Sequence, residues 1–574
     1  MSDILKEIIN HFNNNHLDKA LDLCEANNEK KIAHLINNIK GAILFKQQKY
    51  ELAKNEFLKS IDLDEKFLDP HKNLFKLNIK LKDYESAIIN GKNVIKLEST
   101  KNPLSYFNLA LAYDLNNDFK KAIEFYKIVE TSNLKEKKIL FNNLAKCFLR
   151  NENILEAKNY YQRALEFDQN DKVILNNLLI LYLRLDDKDK SEYFYKKAKA
   201  VDDNYMEFRL NESEYFFSKN NHQKSIDILR SIIDHTKNYI AYTKLAKIYS
   251  MINDKKKAIQ TIEEALIIYP NKKDLRLTRG IMHLINGEFE KGWALYEYRN
   301  LIEKDIIFQN IKIWKGENLK DSSLLVTCEQ GLGDVLQFSK FLINLSSICK
   351  KIDFVLYDKL IPIYKKEIKN IKICSKKEII ENNYDYKISL GSLNKYFYKT
   401  QNSKSSDLIN FDKNNKNKWR SILENKKKKI GLVWSGNFFG PKEPSRSIEL
   451  KNFNELLKLD FNFYSFQNEI WDRDKEFFKK SNIIDLSKEN FVDIIGIIQN
   501  LDLMLSTDTF FLHLACVCKI ETWGLISLNS DWRWYTYYRY NPYNSLKIHK
   551  QSNYKNWDDV INLIKNNLKD KFIN

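Results

Sequence analysis

Small residues recur through the first half of this chain at a nearly fixed interval: Ala20, Ala53, Ala87, Ala122, Ala157, Ser191, Ser225, Ala258 and Gly292, spaced by 33, 34, 35, 35, 34, 34, 33 and 34 residues. That period leaves room for two short helices and a turn, and repeats of this size mark solenoid architectures. Other positions keep the same phase. Gly41, Ala110, Ala145, Ala246 and Gly280 stand twelve residues before a marker, small enough to let two helices approach closely. Phe57, Tyr126, Tyr161, Tyr195 and Tyr296 follow four residues after one and would fill the groove between helices. Ser60, Ala164, Ala198 and Ala265 continue the pattern, and Pro270 closes one unit. About nine units fit, over roughly residues 1–300. Each is too small to bury a core of its own, so stability must come from stacking on neighbours. Nearly all these residues are read as packing.

A 34-residue unit with this placement of small and aromatic residues has the period of the tetratricopeptide helix–turn–helix. The expected product is an α-solenoid with a concave face.

After Trp314 the period disappears. Short apolar runs alternate with helix-like segments, at Leu324–Thr327, Ile352–Leu356, Tyr386–Ser389, Lys429–Trp434, Phe461–Gln467, Ile483–Asp485, Leu501–Ser506 and Glu521–Ile526. Such alternation argues for parallel, doubly wound sheets. The basic stretch Asn410–Lys429 splits this half, and a strand and turn begin again after it. The expected fold is thus α followed by α/β: a repeat domain over 1–305 and two Rossmann-like lobes over 306–425 and 426–574.

Composition bounds the partners. The 574 residues carry a formal charge of +18, but the lysines are spread along every helix, so a nucleic-acid role would rest on charge alone and is not expected. Nucleotide donors, acidic glycans and anionic membrane surfaces stay open as partners. No apolar run is long enough to span a membrane, and no leader pattern opens the chain, so a cytoplasmic protein is expected. Seven scattered cysteines with no pair of CxxC units are expected to be reduced, and no metal site or cofactor is expected.

The α/β half holds the chemistry. After the first strand comes Cys328-Glu329-Gln330-Gly331-Leu332-Gly333-Asp334, a two-glycine turn leading into a helix expected over Val335–Leu345. Such a turn offers backbone N–H groups to an anion, and places Asp334 above the strand ends. In the second lobe, Trp434-Ser435-Gly436-Asn437 ends a strand, with Arg446-Ser447 ten residues on. A hydroxyl, a glycine and an arginine around one turn suit phosphate oxygens. Gln467 ends the next strand. Thr507-Asp508-Thr509 follows the strand at Leu501–Ser506 and opens a helix running through His513, with Thr507 or Asp508 expected as its cap. His513 reads either as a core histidine or as a ligand contact. Asp531-Trp532-Arg533-Trp534 opens an aromatic run that includes Tyr535, Tyr537, Tyr538, Arg539, Tyr540 and Tyr543, read as lobe-closing core or as cleft lining. Asp472-Arg473-Asp474 has the DxD form of one metal-dependent glycosyltransferase class but lacks a flanking strand, and is read as a charged helix start.

Taken in order, these segments resemble a bacterial group in which tetratricopeptide repeats precede a module similar to the ADP-heptose:lipopolysaccharide heptosyltransferases. The likeness begins at Gly287–Arg299 and continues through Trp314–Glu317, Glu329–Phe338, Gly431–Asn437 with Arg446-Ser447, Ser506–Ala515 and Asp531–Trp534. It implies a two-lobed GT-B fold and a metal-independent glycosyltransferase without cofactor, using a nucleotide-sugar as substrate. Asp334 matches the proposed general base. Gly331, Gly333, Ser435, Gly436, Asn437, Arg446, Gln467, Thr507, Asp508, Thr509 and His513 would bind the donor. The repeats would recruit a protein or glycan acceptor. The chain departs from the pattern at Phe438, Gly440 and Glu443, where a Pro, a His and an Asp are usual, at Phe510, where a small residue is expected, and at Glu521, where a Pro is usual. These departures leave a second reading, a repeat scaffold carrying a degenerate module.

Overall fold

The computed structural model describes residues 3–27, 29–151, 153–299, 308, 310–400, 405–424, 426–437, 445–536 and 543–573. The expected boundaries at 305 and 425 lie outside these residues, as do Phe438, Gly440 and Glu443 and the residues Tyr537, Tyr538, Arg539 and Tyr540 of the aromatic run.

Two compact units emerge. One comprises residues 1–182 and 189–202, the other residues 183–188 and 203–574. Helix pairs occupy the described residues from Asp3–Asn13 and Leu17–Ala26 through to Lys273–Asn286 and Phe289–Tyr296, nine pairs in all. The repeat markers sit where the period requires: Ala20, Ala53, Ala87, Ala122 and Ala157 are wholly buried. Gly41 shows why that site stays small, because a Cβ there would meet the Phe57 ring at 2.6 Å. Where a marker is polar its hydroxyl is satisfied, Ser225 Oγ donating to Ser213 O at 2.6 Å. Helix starts follow the local chemistry. Asp83, Asp118, Asn153, Asn221 and Asp254 each accept a hydrogen bond from a first-turn amide, an N-cap at the same point of five repeats.

In the second unit the last repeats and the α/β region share one core. Phe217 meets Tyr554 edge-on at 4.9 Å, and Lys555 pairs with Asp186 at 2.7 Å. The helix of the last repeat that carries Gly292, here α1 (Phe289–Tyr296), is followed by β1 (Ser323–Thr327) and the short helix α2 (Leu332–Phe338). The helix expected over Val335–Leu345 is broken, since a second segment, Phe341–Leu345, restarts after Ser339 and Lys340. The strands β2 (Lys351–Val355), β3 (Glu367–Ile368), β4 (Ile371–Cys374) and β5 (Tyr386–Ser389) complete a first sheet of order β3-β4-β2-β1-β5, parallel except for the β3–β4 pair.

The second sheet contains β6 (Lys429–Val433), β7 (Asn462–Ser465), β8 (Ile484–Asp485), β9 (Leu503–Thr507), β10 (Thr522–Ile526) and β11 (Leu546–Lys550). Its order is β11-β10-β9-β6-β7-β8, all parallel. Parallel strands need both faces covered. Ile430 and Leu432 pack with Trp434, Leu503, Trp523 and Ile564 on one side, while Val433 and Met504 join the core that continues into the first sheet and the repeats. The basic stretch expected to divide the lobes is the helix α3 (Lys413–Ile422), whose Trp419 indole donates to Asp493 at 2.7 Å. Asp472-Arg473-Asp474 opens the helix α4 (Asp472–Lys480), and Asp474 is fully buried, accepting from Trp434 Nε1 and Leu450 N. Burial pushes its carboxyl above the ordinary range, and it braces the sheet from inside.

Candidate functional site

The loops leaving β1, β6, β7, β9 and β10 converge on one cavity of about 660 Å³. All five leave the carboxyl ends of parallel strands, where α/β sheets bind ligands. Of the twelve residues expected to act, eleven line it: Gly331, Gly333, Asp334, Ser435, Gly436, Asn437, Arg446, Gln467, Asp508, Thr509 and His513. Thr507 does not. It is the last residue of β9, fully buried, with its hydroxyl lacking a hydrogen bond among the described residues.

On the first-sheet side, Gly331 precedes α2 and Gly333 lies in its first turn. Neither glycine has a positive φ. Gly333 is small for another reason: a Cβ there would come within 2.6 Å of His513 Cδ2, so the glycine lets the helix α6 (Phe510–Val517) close against α2.

On the second-sheet side, the turn after β6 is pinned from below. Ser435 N donates to Gln467 Oε1 at 3.1 Å, Gln467 Nε2 donates back to Ser435 O at 3.0 Å, and Gly436 N donates to Ser447 Oγ at 3.1 Å. Gln467 is therefore a brace for the turn. The Ser435 hydroxyl is buried in the cavity wall and has no hydrogen bond among the described residues. Arg446 Nη1 donates to Asp508 O at 3.0 Å, which fixes the guanidinium beside the start of α6. The N-cap of α6, Thr509, lies two residues after Thr507 and one after Asp508, the expected caps. The chain bends at Asp508, and Thr509 is in extended conformation (φ −135°); its hydroxyl bonds Ser506 Oγ at 3.0 Å instead of a helix amide. The first-turn N–H groups of α6 are left without a side-chain cap at the cavity edge, a setting that favours an anion.

Phe510, the residue that stands where a small one was expected, lines the cavity with its ring 5.2 Å from Phe491 of α5 (Phe491–Ile498). Glu521 has a structural role of its own, accepting from Trp523 Nε1 and pairing with Lys547 and Lys571 to tie β10 to its neighbours.

His513 is 2% exposed, with Nδ1 3.0 Å from Tyr543 Oη. Burial, and then the Arg533 charge, push its pKa down to about 4, so the imidazole is neutral at physiological pH. Whatever it contacts, it does so without charge.

Asp531 and Arg533 belong to the run read as lobe-closing core or cleft lining, without a chemical role of their own. The short helix α7 (Trp532–Tyr535) brings both to the cavity. Arg533 is 6% exposed and grips three groups: Asp334 Oδ1 at 2.5 Å, Gln337 Oε1 at 2.6 Å and Asp531 Oδ1 at 3.1 Å. The carboxylates hold this arginine in its charged form.

The last repeat braces both walls. Trp293 of α1 meets Trp532 edge-on at 5.0 Å, directly beside Arg533. Tyr296 Oη accepts from Gln330 Nε2 at 2.6 Å, and Arg299 donates to Glu329 Oε1 and Ser392 Oγ, both at 2.9 Å. The turn that carries Asp334 is thus held from the repeat side.

The tetratricopeptide repeat family model matches residues 36–67, 104–127, 140–171 and 239–272. The N-terminal ~290 residues carry tetratricopeptide repeats. Repeats of this kind suggest a scaffold or protein-binding role. Among solved structures, the chain is similar to a tetratricopeptide repeat protein from Parabacteroides merdae at 19% identity, covering 41% of this chain and 94% of that one, with a TM-score of 0.36. It is also similar to pilF of Pseudomonas aeruginosa at 14% identity, covering 38% of this chain and 97% of that one, with a TM-score of 0.31. No curated protein matches the chain. Among the described residues, no helix is long and apolar enough to cross a membrane.

Proposed function

We propose that the cavity transfers a sugar from a nucleotide-activated donor to an acceptor hydroxyl, with the two α/β lobes acting as a GT-B pair and the repeats recruiting a protein or glycan acceptor. The observation that carries this reading is the meeting, in one cavity at the strand ends, of a carboxylate (Asp334) with an anion-binding set made of Arg446, the Ser435 hydroxyl and the open start of α6. The resemblance to heptosyltransferases selects those same residues.

In the proposed reaction the acceptor oxygen attacks the anomeric carbon. The bond to the diphosphate breaks, the leaving group keeps the electron pair, and the acceptor proton passes to Asp334. Arg446, Ser435 and the amides of α6 stabilise the charge that develops on the departing diphosphate, and such preorganised electrostatics usually dominate rate enhancement. Phosphate neutralisation in this scheme falls to fixed protein groups. His513, being neutral, adds no charge to that task.

Asp334→Asn tests the assignment. Turnover of nucleotide-sugars should fall by about 100-fold or more, in the range expected for a lost general base, while nucleotide affinity changes little. Affinity falling in step with turnover would contradict the role.

A second reading has its own support. Phe510 lines the cavity at the start of α6 with a bulky ring where a small residue is expected. Under that reading the protein is a tetratricopeptide scaffold, and its α/β region binds no nucleotide.

A further inference from the structure

Taking the cavity as the transfer site proposed above, we infer that Arg533 is the positioning residue for Asp334, fixing one carboxylate oxygen so that the other faces the reacting hydroxyl. Asp334 has a side chain 23% exposed. Its Oδ1 is held by Arg533 Nη2, and among the described residues its Oδ2 takes no hydrogen bond. An aspartate on a surface turn rotates freely about its side-chain bonds. Here one oxygen accepts a short, charge-assisted bond from Arg533 Nη2, and Nη1 and Nε, bonded to Gln337 and Asp531, keep that guanidinium in place.

The clamp is itself overdetermined. Asp334 and Gln337 lie three residues apart on α2 and so share a face, and both reach the same guanidinium. Asp531 holds Nε from the other side, and it also caps α7 by accepting from Arg533 N. Trp532, locked against Trp293, fixes the backbone next to it. Gln337, Asp531 and Trp532, from both sides of the cavity, set one arginine, and the arginine sets the base. A purely structural ion pair would not need to end on a residue that lines the cavity with a free oxygen.

The geometry also separates Arg533 from the donor-phosphate set. Its donors point at Asp334, Gln337 and Asp531, while the phosphate side of the cavity is served by Arg446 and α6. Loss of Arg533 should therefore affect the chemical step and leave diphosphate binding nearly intact.

The test uses the full-length protein with ADP-, GDP- and UDP-sugars, water serving as acceptor, and release of the nucleoside diphosphate as readout. Affinity for the free diphosphates is measured alongside by calorimetry. Arg533→Met should lower kcat about 100-fold with KM and diphosphate affinity held within about threefold. Arg533→Lys restores the charge without the fork and should recover part of that loss, about tenfold. Because Arg533→Met leaves two carboxylates facing a buried apolar side chain, Arg533→Met/Asp531→Asn is the second variant, with thermal melting to verify folding of both. An unchanged kcat in a folded variant, or affinity lost in step with kcat, would overturn the assignment. A wild-type protein that binds diphosphates but turns over none of the sugars would overturn the transferase reading itself, and the role of Arg533 with it.

Discussion

The imidazole of His513 is enclosed by Tyr543, Trp534 and the Gly333 backbone, next to the permanent cation of Arg533. Its pKa of about 4 against an ordinary 6.5 has a consequence for stability. Between those two values the unfolded chain takes up a proton that the folded chain refuses. Stability from this site is therefore fully present above pH 6.5 and is lost as pH falls toward 4, by about 3 kcal/mol in total. Denaturant titrations of wild type and His513→Gln at pH 7 and pH 4.5 isolate it: the wild type should lose more stability on acidification than the variant. Equal losses would mean that the histidine is not held neutral. At this scale the sequence was legible where neighbours in the chain make the chemistry. Asp334 stands out because a strand, a turn and a helix start surround it within twelve residues. Arg533 does not, because its carboxylate partner Asp334 lies 199 residues away and only the fold joins them. The expected caps at Thr507 and Asp508 missed for a local reason, since β9 runs on through Thr507 and Asp508 is spent on the bend before the N-cap Thr509.

Among the elements, α1 carries a double duty. It closes the last repeat, where Gly292 packs so tightly on Leu284 that a Cβ would clash at 2.6 Å, and it supports the cavity through Trp293 and Tyr296. Trp293 is 1% exposed, so Trp293→Ala should cost about 3–5 kcal/mol. Because the buried ring of Trp532, next to Arg533, leans on it, the loss should lower turnover as well as the melting temperature. A variant destabilised by that amount with unaltered turnover would show that α1 supports the repeats alone. The eight strands read from alternation are all present, with ends shifted by a residue or two. The three that went unread have clear reasons. β3 has only two residues, β4 (Ile371–Cys374) is a four-residue strand within a lysine-rich stretch, and β11 has only two apolar residues, Leu546 and Ile548, among Lys547, His549 and Lys550 at a sheet edge.

For the molecule as a whole, the repeat period and the α/β alternation are written in the sequence because each is a one-dimensional pattern. The 34-residue spacing survives translation into structure almost residue for residue, since every marker is buried. The cavity is legible only as a set of strand ends, and its contents depend on which loops the two sheets bring together. Whether the cavity holds a nucleotide, as proposed, is decided by calorimetry and thermal melting of the protein with nucleoside diphosphates and with ADP-, GDP- and UDP-sugars. A ligand at 100 times its dissociation constant should add about 2.7 kcal/mol of stability. Binding of at least one diphosphate, abolished by Arg446→Ala in a protein that still melts cooperatively, is the expected result; a well-folded wild-type protein that binds none of them would contradict it.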